Sequence, residues 1–245
     1  MEKLMKVGIT GANGNLGTTL VQGLADKFDL KLFDMRRSGA PAQRDVVKID
    51  FADADQIAGA FTGLDAIVHL AGNPSPSARR SDTLRNNFVA TSLVFQQARD
   101  AGVRKIVFAS SNFYHQKDIA TALNGGAKSL IRLDTSPSPD CTYGESKVYG
   151  EHLGFHYSCL GMEFVALRIG WCVPEDNPAS YNSPYMRAMF CSKRDLVQSF
   201  ERALMSTEKF LTAFAISDND EKVFDLTQTK LNLGFQPMDN SANYS

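Results

Sequence analysis

Residues 10–17 read Thr10-Gly-Ala-Asn-Gly-Asn-Leu-Gly17, and they directly follow a short strand-like run at 6–10. The glycines are spaced G-x-x-G-x-x-G, and the residues after them carry apolar side chains at helical spacing. Glycine allows the tight turn and the close backbone approach that a pyrophosphate needs, and the free N–H groups at a helix start attract its charge. A glycine-rich turn alone is weak evidence, but strand, turn and helix in this order predict a dinucleotide site.

The same alternation of strand and helix continues through the first two thirds of the chain. Short β-branched runs that alternate with longer helical patterns are typical of βαβ units, whose right-handed crossovers place helices on both faces of a parallel sheet. We therefore predict an α/β protein with a doubly wound parallel sheet of the Rossmann type and a small carboxy-terminal cap. The predicted strands are 6–10, 30–34, 46–49, 66–70, 105–110 and 164–169, and the predicted helices are 16–27, 53–61, 82–101 and 142–160.

Two later segments interrupt this alternation. Residues 112–140 contain a Gly-Gly pair and two prolines and are long for a connection inside a compact domain, so we expect a lid over the site. Residues 174–184 are rich in Pro, Asn and Ser, and a short helix (195–206) and a strand-like run (210–216) follow them. We assign these later pieces to the cap. The prediction is one domain overall, with a dinucleotide-binding core over 1–170 and an integral substrate-binding cap over 171–245.

Charge and cysteine content narrow the choice of partners. The chain carries 26 Lys and Arg against 27 Asp and Glu, so no global field favours nucleic acid or an acidic membrane surface. The cysteines form no C-x-x-C pair, which indicates reduced thiols, and His152 and His156 lack a third ligand, so no metal is expected. The amino terminus lacks a signal-peptide pattern, and the longest apolar runs are far shorter than the roughly 20 residues that cross a bilayer. We expect a cytoplasmic protein with no membrane partner.

Residues at later strand ends extend the predicted dinucleotide site. Asp34 closes the second strand, where a carboxylate can accept hydrogen bonds from the adenosine ribose and repel a 2′-phosphate. Arg36 and Arg37 follow, and either guanidinium could instead pair with that phosphate, so NAD is expected and NADP is left open. Asp50 suits this site and a helix N-cap equally well. The predicted cofactor-binding residues are Gly11, Asn13, Gly14, Asn15, Leu16, Gly17, Asp34, Arg36, Asp50, Phe51, Leu70, Ala71 and Gly72.

A second motif, Tyr143-Gly-Glu-Ser-Lys147, places a phenol and an ammonium at i, i+4 on one helix face. A nearby cation stabilises phenolate and moves the pKa of a tyrosine from about 10 toward working pH, so Tyr143 can act as a general base toward an alcohol. Ser111 lies at the end of the fifth strand, where its hydroxyl can hold the reacting oxygen. The tyrosine-lysine spacing alone arises by chance in many helices, but the combination with the glycine turn and Asp34 predicts a catalytic site.

These motifs resemble those of the extended short-chain dehydrogenase/reductase superfamily, also described as NAD-dependent epimerases and dehydratases. Within that superfamily, the sequence is most similar to the bacterial uronate dehydrogenases, and the resemblance covers nearly the whole chain. It rests on Thr10 to Gly17, His69-Leu-Ala-Gly72, Asn87, Val107-Phe-Ala-Ser-Ser-Asn112, Tyr143 to Lys147 with Gly150-Glu151, Leu167-Arg-Ile-Gly170 with Cys172, Pro174 and Glu175, and Leu233-Gly-Phe235.

The resemblance implies a role for individual residues. Tyr143 would be the catalytic base, Lys147 would hold the nicotinamide ribose, and Asn87 would support the lysine through an ordered water. The resemblance also implies a homo-oligomer formed through the helices at 82–101 and 142–160. The resemblance adds four residues to the predicted cofactor-binding residues: Asn87, Tyr143, Lys147 and Ile169. The predicted substrate-binding residues are Ser75, Ser111, Asn112, Tyr143 and Arg187.

The expected reaction is oxidation of the anomeric hydroxyl of a hexuronic acid to an aldarolactone, with NAD as the hydride acceptor. Arg187 would bind the substrate carboxylate through two parallel hydrogen bonds, although a surface arginine is the alternative. Phe113 in place of a histidine, and a longer spacing between Ser111 and Tyr143, depart from the uronate dehydrogenases near the substrate. Three alternatives therefore stay open: a sugar-phosphate (glucose 6-phosphate) dehydrogenase, a nucleotide-sugar epimerase, and a non-catalytic redox sensor that binds a dinucleotide.

Overall fold

Seven parallel strands form one sheet in a computed structural model of the chain, which describes residues 4–36, 45–126 and 129–244. Their order is β3-β2-β1-β4-β5-β6-β7, so strands are added on one side of β1 up to β3 and on the other side from β4 onward. This order confirms the predicted doubly wound Rossmann-type sheet. The strands are β1 (Lys6–Thr10), β2 (Asp29–Asp34), β3 (Val46–Lys48), β4 (Ala66–His69), β5 (Lys105–Ser111), β6 (Glu163–Ile169) and β7 (Phe210–Ala215).

Helices cover both faces of the sheet, which explains why the central strands are almost continuously apolar. One face packs against the fully buried Leu20, Leu24 and Phe200, and the other packs against Val94 and Phe95. The helices are α1 (Asn15–Leu24), α2 (Ala54–Ile57), α3 (Arg80–Thr83), α4 (Ala90–Asp100), α5 (Gln116–Leu123), α6 (Thr142–Cys159), α7 (Pro184–Met189), α8 (Lys193–Met205) and α9 (Thr227–Leu233). None of the helices in the described ranges has both the length and the apolar content needed to cross a bilayer.

Short turns of other helix types connect some of these elements. A π-helical turn, Leu84–Val89, joins α3 to α4, so the helix predicted over 82–101 is present but changes its winding near its start. Single 3-10 turns occupy Asn112–His115, Pro178–Tyr181 and Ser241–Asn243. The π-helical turn contains Asn87, and such turns inside helices often occur at functional sites.

The carboxy-terminal segment contributes to the sheet as well as to the cap. β7 pairs in parallel with β6 from Phe164↔Phe210 to Ile169↔Ala215, and α8 buries its apolar face in the same core cluster as α1. This corrects the predicted placement of both elements in the cap, because their apolar faces complete the sheet and its helical layer. The predicted lid contains α5, whose Ile119 packs in a cluster with Phe224 beyond β7, and its closure over a substrate stays a prediction.

Candidate active site

The turn after β1 brings the backbone into close contact with the segment after β4. Gly11 has a φ of +74°, and a Cβ atom there would lie 2.9 Å from the backbone nitrogen of Ala71. A Cβ at Gly17 would lie 2.2 Å from the carbonyl oxygen of Gly11. Gly14 is the N-cap of α1 and supplies no side chain to the first N–H groups of the helix. The cradle therefore needs glycine, and its free N–H groups fit a pyrophosphate.

A polar contact that the sequence analysis missed holds the ends of β1 and β4 together. Thr10 Oγ1 accepts hydrogen bonds of 3.2 Å from the N–H groups of residues 70 and 71, and it lies 2.8 Å from His69 Nδ1. The hydroxyl proton is therefore left for Nδ1, and His69 Nε2 donates to Thr91 Oγ1 at 3.1 Å. Burial lowers the pKa of His69 to about 3, so the ring is neutral. This contact could have been predicted from the sequence, because Thr10 and His69 are polar residues at the ends of two neighbouring strands.

Asp34 is buried at the end of β2, beside the glycine turn. Its Oδ2 accepts a 3.0 Å hydrogen bond from Asn13 N, and its Oδ1 accepts a 2.9 Å bond from Arg36 N. Asn13 Nδ2 donates to Arg36 O at 2.8 Å, which fixes the backbone next to the carboxylate. The Arg36 guanidinium is exposed, with its Nε 3.8 Å from Asp34 Oδ1. Arg37, the other candidate for a 2′-phosphate, lies outside the described residues.

Asp50 is held by Arg85, which lies in the π-helical turn. Arg85 Nη2 donates to Asp50 Oδ2 at 2.6 Å and Nη1 donates to Oδ1 at 3.2 Å, and this hydrogen bonding lowers the pKa of Asp50. Asp53 is the N-cap of α2 and accepts from the N–H groups of residues 55 and 56. The N-cap alternative for Asp50 is therefore wrong, because the N-cap of α2 is Asp53, three residues later.

The three predicted catalytic side chains meet at the carboxyl end of β5. Ser111 ends β5, whereas Tyr143 and Lys147 lie one turn apart at the start of α6. Lys147 Nζ donates a 2.8 Å hydrogen bond to Ala109 O and lies 5.3 Å from the centroid of the Tyr143 ring. A Cβ at Gly150 would lie 2.3 Å from Phe108 Cζ, so a glycine is what lets α6 approach the sheet this closely.

Burial sets the protonation of this group. Burial raises the pKa of Tyr143, although the Ser111 side chain acts in the opposite direction. This corrects the predicted shift toward working pH, because desolvation of the phenol outweighs the groups that stabilise its phenolate. Burial also lowers the pKa of Lys147 to about 8. Ser111 Oγ donates to Asn112 Oδ1 at 3.1 Å and accepts from Phe113 N at 3.2 Å. At neutral pH, the site therefore contains a phenol with an ammonium behind it and a serine hydroxyl beside it.

A cleft of about 770 Å³ runs along the carboxyl edge of the sheet and joins the glycine turn to these side chains. Its size is within the range of small-molecule sites. The predicted residues that line it are Gly11, Gly14, Asn15, Leu16, Gly17, Asp34, Arg36, Asp50, Phe51, Leu70, Ala71, Gly72, Ser111, Asn112, Tyr143, Lys147 and Ile169.

Asn13, Ser75 and Asn87 lie outside this lining. Asn13 acts on the cleft through Asp34, and Ser75 Oγ lies 3.1 Å from Ser77 Oγ. The Asn87 side chain is buried behind the loop that follows β4: Oδ1 accepts from Asn73 N at 2.7 Å, and Nδ2 donates to Asn73 O at 3.0 Å. Asn87 Nδ2 also lies 3.2 Å from Ser146 Oγ, so it links this loop to α6. Its predicted support of the lysine through water stays a prediction.

Arg187 is not brought to the cleft. Its Nε lies 2.9 Å from Glu221 Oε1, in an exposed ion pair on the cap. Positions 185 and 187 are about 200° apart around a helix, so the orientation of Tyr185 toward Asn112 turns Arg187 away. This corrects the prediction that Arg187 is placed to bind a substrate carboxylate, and the alternative of a surface arginine describes the structure.

A buried ion pair beneath the site was also missed. Arg168 on β6 donates from Nε and Nη2 to the two carboxylate oxygens of Glu151 on α6, at 3.0 and 2.8 Å. Ser110 Oγ donates to the same carboxylate at 2.6 Å, and Arg168 Nη1 lies 2.9 Å from His115 Nε2. Burial lowers the pKa of His115 to about 4, so the imidazole is neutral beside the arginine. Two of the motifs that carried the family resemblance contain this pair.

The fold and the cleft define a Rossmann-type enzyme that binds a dinucleotide, and comparison with known proteins gives the family. Residues 7–193 match the NAD dependent epimerase/dehydratase family, to which the chain belongs. The match confirms the predicted superfamily, and the chain is an enzyme with NAD as its cofactor.

Three similar proteins cover almost the whole chain. The L-arabinose 1-dehydrogenase (NAD(P)(+)) of Haloferax volcanii is 35% identical over 98% of this chain and 98% of its own length. The NAD-dependent glucose-6-phosphate dehydrogenase of the same organism is 32% identical over 97% of this chain and 94% of its own length. A mutant uronate dehydrogenase from Agrobacterium tumefaciens, solved with NAD, is 29% identical, covers 98% of this chain and 86% of its own, and has a TM-score of 0.83.

Proposed function

We propose that the protein oxidises the anomeric hydroxyl of an uncharged aldose to a lactone, with NAD as the hydride acceptor. The observation that carries this proposal is the meeting of Ser111, Tyr143 and Lys147 at one end of a cleft whose other end contains the glycine turn and Asp34. This arrangement places a proton acceptor and a dinucleotide cradle in the same cleft, as an alcohol oxidation by NAD requires.

The residues of the cleft fit NAD. Gly11 and Gly17 stand where any Cβ would collide with backbone, α1 presents uncapped N–H groups, and Asp34 keeps lone pairs free for ribose hydroxyls. NAD, when bound, supplies the acceptor for the hydride that leaves C1 of the sugar. Tyr143 first loses its phenol proton to solvent. The hydroxyl O–H bond of the sugar then breaks as the C1–O double bond forms, and the Tyr143 phenolate oxygen takes the proton and becomes a phenol again. The Lys147 ammonium, 5.3 Å from the ring centroid, lowers the free-energy cost of forming the phenolate.

Ser111 positions the reacting oxygen. Its hydroxyl proton points to Asn112 Oδ1 at 3.1 Å, and a rotation about one side-chain bond redirects it to a substrate oxygen. The backbone N–H of Phe113 donates to Ser111 Oγ at 3.2 Å, which orients the hydroxyl and makes it a better donor. Substrate orientation by such contacts can supply several kcal/mol of the barrier reduction.

An uncharged aldose is the substrate class that the cleft supports best. Among residues 4–36, 45–126 and 129–244, the basic side chains that line the cleft are Arg36, beside the predicted adenosine site, and Lys147, behind Tyr143. The residues around Ser111 are neutral: Asn112, Phe113 and Trp171. A carboxylate or phosphate on the sugar would be desolvated there without a cation dedicated to it, which is costly. The likeness to an L-arabinose 1-dehydrogenase also supports a neutral sugar.

A hexuronic acid, oxidised to an aldarolactone, is the second candidate. The likeness to uronate dehydrogenase, with a TM-score of 0.83 over 98% of the chain, supports it. It requires Arg187 to leave Glu221 and to reach the cleft.

A sugar panel tests both candidates. Purified protein is mixed with NAD and, separately, L-arabinose, other neutral aldoses, galacturonate, glucuronate and glucose 6-phosphate, and NADH is followed by absorbance. We expect kcat/KM for a neutral aldose to exceed that for the charged sugars by roughly 10-fold or more, since an unpaired buried charge costs several kcal/mol. A preference for uronates would transfer the proposal to the second candidate. Absence of turnover with every sugar would overturn the dehydrogenase proposal.

A further inference from the structure

Trp171, which lines the cleft, and Tyr185, which packs against it from outside the lining, form an aromatic corner. Trp171 follows β6 after Gly170, lines the cleft and is 43% exposed. Its ring centroid lies 5.6 Å from that of Tyr185, with the planes at 79° to one another. The Trp171 backbone is fixed on both sides, because its N–H donates to Met189 O at 2.6 Å and its carbonyl accepts from Cys191 N at 3.1 Å. An exposed indole inside a fixed cleft indicates a surface for a ligand.

The Tyr185 phenol is connected to the catalytic group by a chain of neutral polar side chains. Ser111 Oγ donates to Asn112 Oδ1 at 3.1 Å, and Asn112 Nδ2 donates to Tyr185 Oη at 2.5 Å. Tyr185 Oη in turn donates to Gln116 Oε1 at 3.2 Å. Burial raises the pKa of Tyr185 to about 12, so the phenol keeps its proton over the working pH range. The chain runs from the serine that would hold the reacting oxygen to the edge of the aromatic corner.

We propose that this aromatic corner binds the sugar ring of the substrate, with Trp171 against the C–H face of the ring and Asn112 and Tyr185 hydrogen-bonded to a ring hydroxyl. The inference rests on the proposed function, because it assigns the part of the cleft that receives the sugar. The C–H groups of a sugar ring are apolar and weakly positive, and they match the negative face of an indole. Amide and phenol groups both donate and accept, as a hydroxyl does. None of these contacts needs a charge on the substrate.

The chain contains a single tryptophan, so its fluorescence reports on this corner directly. The first experiment uses a Tyr143→Phe variant, in which the slow turnover leaves time to measure binding. The variant is saturated with NAD and titrated with the neutral aldose that the wild type prefers, or with L-arabinose where the wild type oxidises none. We expect a saturable change in tryptophan emission at sugar concentrations near the wild-type KM. An emission spectrum that responds to NAD but stays unchanged with sugar would overturn the proposal.

The second experiment uses variants of the corner itself. We expect Trp171→Ala to raise the KM for the sugar roughly 10-fold or more, and to leave the KM for NAD within about twofold, since the lost contact is with the sugar. Trp171→Phe should restore most of the affinity because it restores an aromatic face. Tyr185→Phe, which keeps the ring and removes the hydroxyl, should raise the sugar KM with little change in melting temperature. Phe155→Ala, an exposed aromatic outside the cleft lining, is the matched control.

The outcomes separate this inference from the proposed function. A wild type that oxidises aldoses, with unchanged sugar KM in Trp171→Ala and Tyr185→Phe, would overturn the corner and leave the function standing. A wild type without turnover whose Trp171 emission responds to sugar would overturn the function and support the corner. Equal increases in the KM for sugar and for NAD in Trp171→Ala would show that the indole holds the cofactor, which also overturns the inference. Should Trp171→Ala fail to fold, Trp171→Phe and Tyr185→Phe carry the test.

Discussion

Lys147 Nζ donates a 2.8 Å hydrogen bond to the backbone carbonyl of Ala109, two residues before Ser111 on β5. One strand therefore fixes both the ammonium and the serine hydroxyl of the site. The Nζ also lies 5.0 Å from the Phe108 ring centroid and 5.3 Å from that of Tyr143, so the cation is held between two aromatic rings. This hydrogen bond holds the Lys147 ammonium against β5. Its distance from the Tyr143 phenol therefore depends on how α6 packs against the sheet, and not on rotation of the lysine side chain.

Replacement of Tyr143 by Phe removes the proton acceptor and keeps the ring in contact with Phe113, whose centroid lies 5.4 Å away. We expect kcat with the preferred sugar to fall by roughly 10²- to 10⁴-fold, the range for loss of a general base. The Kd for NADH, measured by cofactor fluorescence, should stay within about twofold because the cradle is untouched. Turnover at more than a tenth of the wild-type rate would contradict the role assigned to the phenol.

Lys147 should make stability depend on alkaline pH. Burial lowers its pKa from 10.5 to about 8, so between these values the unfolded chain binds a proton that the folded chain does not. The contribution of this residue to the free energy of unfolding therefore rises with pH across that window and is least favourable below about pH 8. We expect Lys147→Met to gain about 1–3 kcal/mol on the wild type at pH 7, and less at pH 10. Urea unfolding at both pH values measures this, and an equal difference at both would contradict it.

The fold could be predicted because its signals are local. Apolar periodicity predicted the strands, and the glycine spacing placed the first turn at the carboxyl edge of the sheet, which is where the structure has it, next to the end of β4. The prediction that 195–206 and 210–216 belong to the cap was wrong. The apolar pattern of a late strand does not indicate whether the strand extends an existing sheet or forms a separate layer. Pairing of β7 with β6 depends on surfaces far apart in sequence.

The site residues that lie at converging strand ends could be predicted from the sequence. The prediction failed where tertiary contacts set the direction of a side chain. Arg187 lies on a helix near the cleft, but its direction is set by Glu221 and by Tyr185, which no spacing rule reveals. Trp171 lies two residues after Ile169 at a strand end, so the rule that found Ser111 also applied to it. The link between Arg168 and Glu151 joins two elements by tertiary contact, and only the family resemblance pointed to these positions.

Replacement of one member of the buried pair of Arg168 and Glu151 should destabilise the fold strongly, whereas replacement of both members should cost much less stability. Glu151→Leu leaves the Arg168 guanidinium buried without its carboxylate, and we expect a loss of about 3–5 kcal/mol in the free energy of unfolding. The combination of Glu151→Leu with Arg168→Met removes both charges, so much of that loss should be recovered. Unfolding in guanidinium chloride of Glu151→Leu, of Arg168→Met and of the double variant measures the coupling between the two side chains. Additive losses in the double variant would show that the two side chains act independently.

Asp34 should set the preference for NAD over NADP. The carboxylate is fixed by two backbone N–H groups, and it repels a 2′-phosphate at the ribose position. We expect Asp34→Ser to lower the KM for NADP by roughly 10-fold and to raise that for NAD, since removal of one unfavourable charge contact is worth about 1–2 kcal/mol. The gain should need the exposed guanidinium next to it, so addition of Arg36→Ala should cancel it. An unchanged ratio of kcat/KM for the two cofactors would place the discrimination elsewhere in the cleft.

Arg187 and Glu221 decide between a neutral and an acidic substrate. Their ion pair is exposed, at 43% and 48% of the side-chain surface, so its loss should change stability by less than about 1 kcal/mol. With an uncharged aldose as substrate, Arg187→Ala should leave kcat/KM within about twofold, because the guanidinium does not line the cleft. Glu221→Gln is the matched variant: it releases Arg187 without removing it, so with a uronate as true substrate it should lower the KM for galacturonate while Arg187→Ala raises it. Opposite shifts of this kind, measured against glucuronate and a neutral aldose in parallel, would establish the acidic substrate and overturn the neutral one.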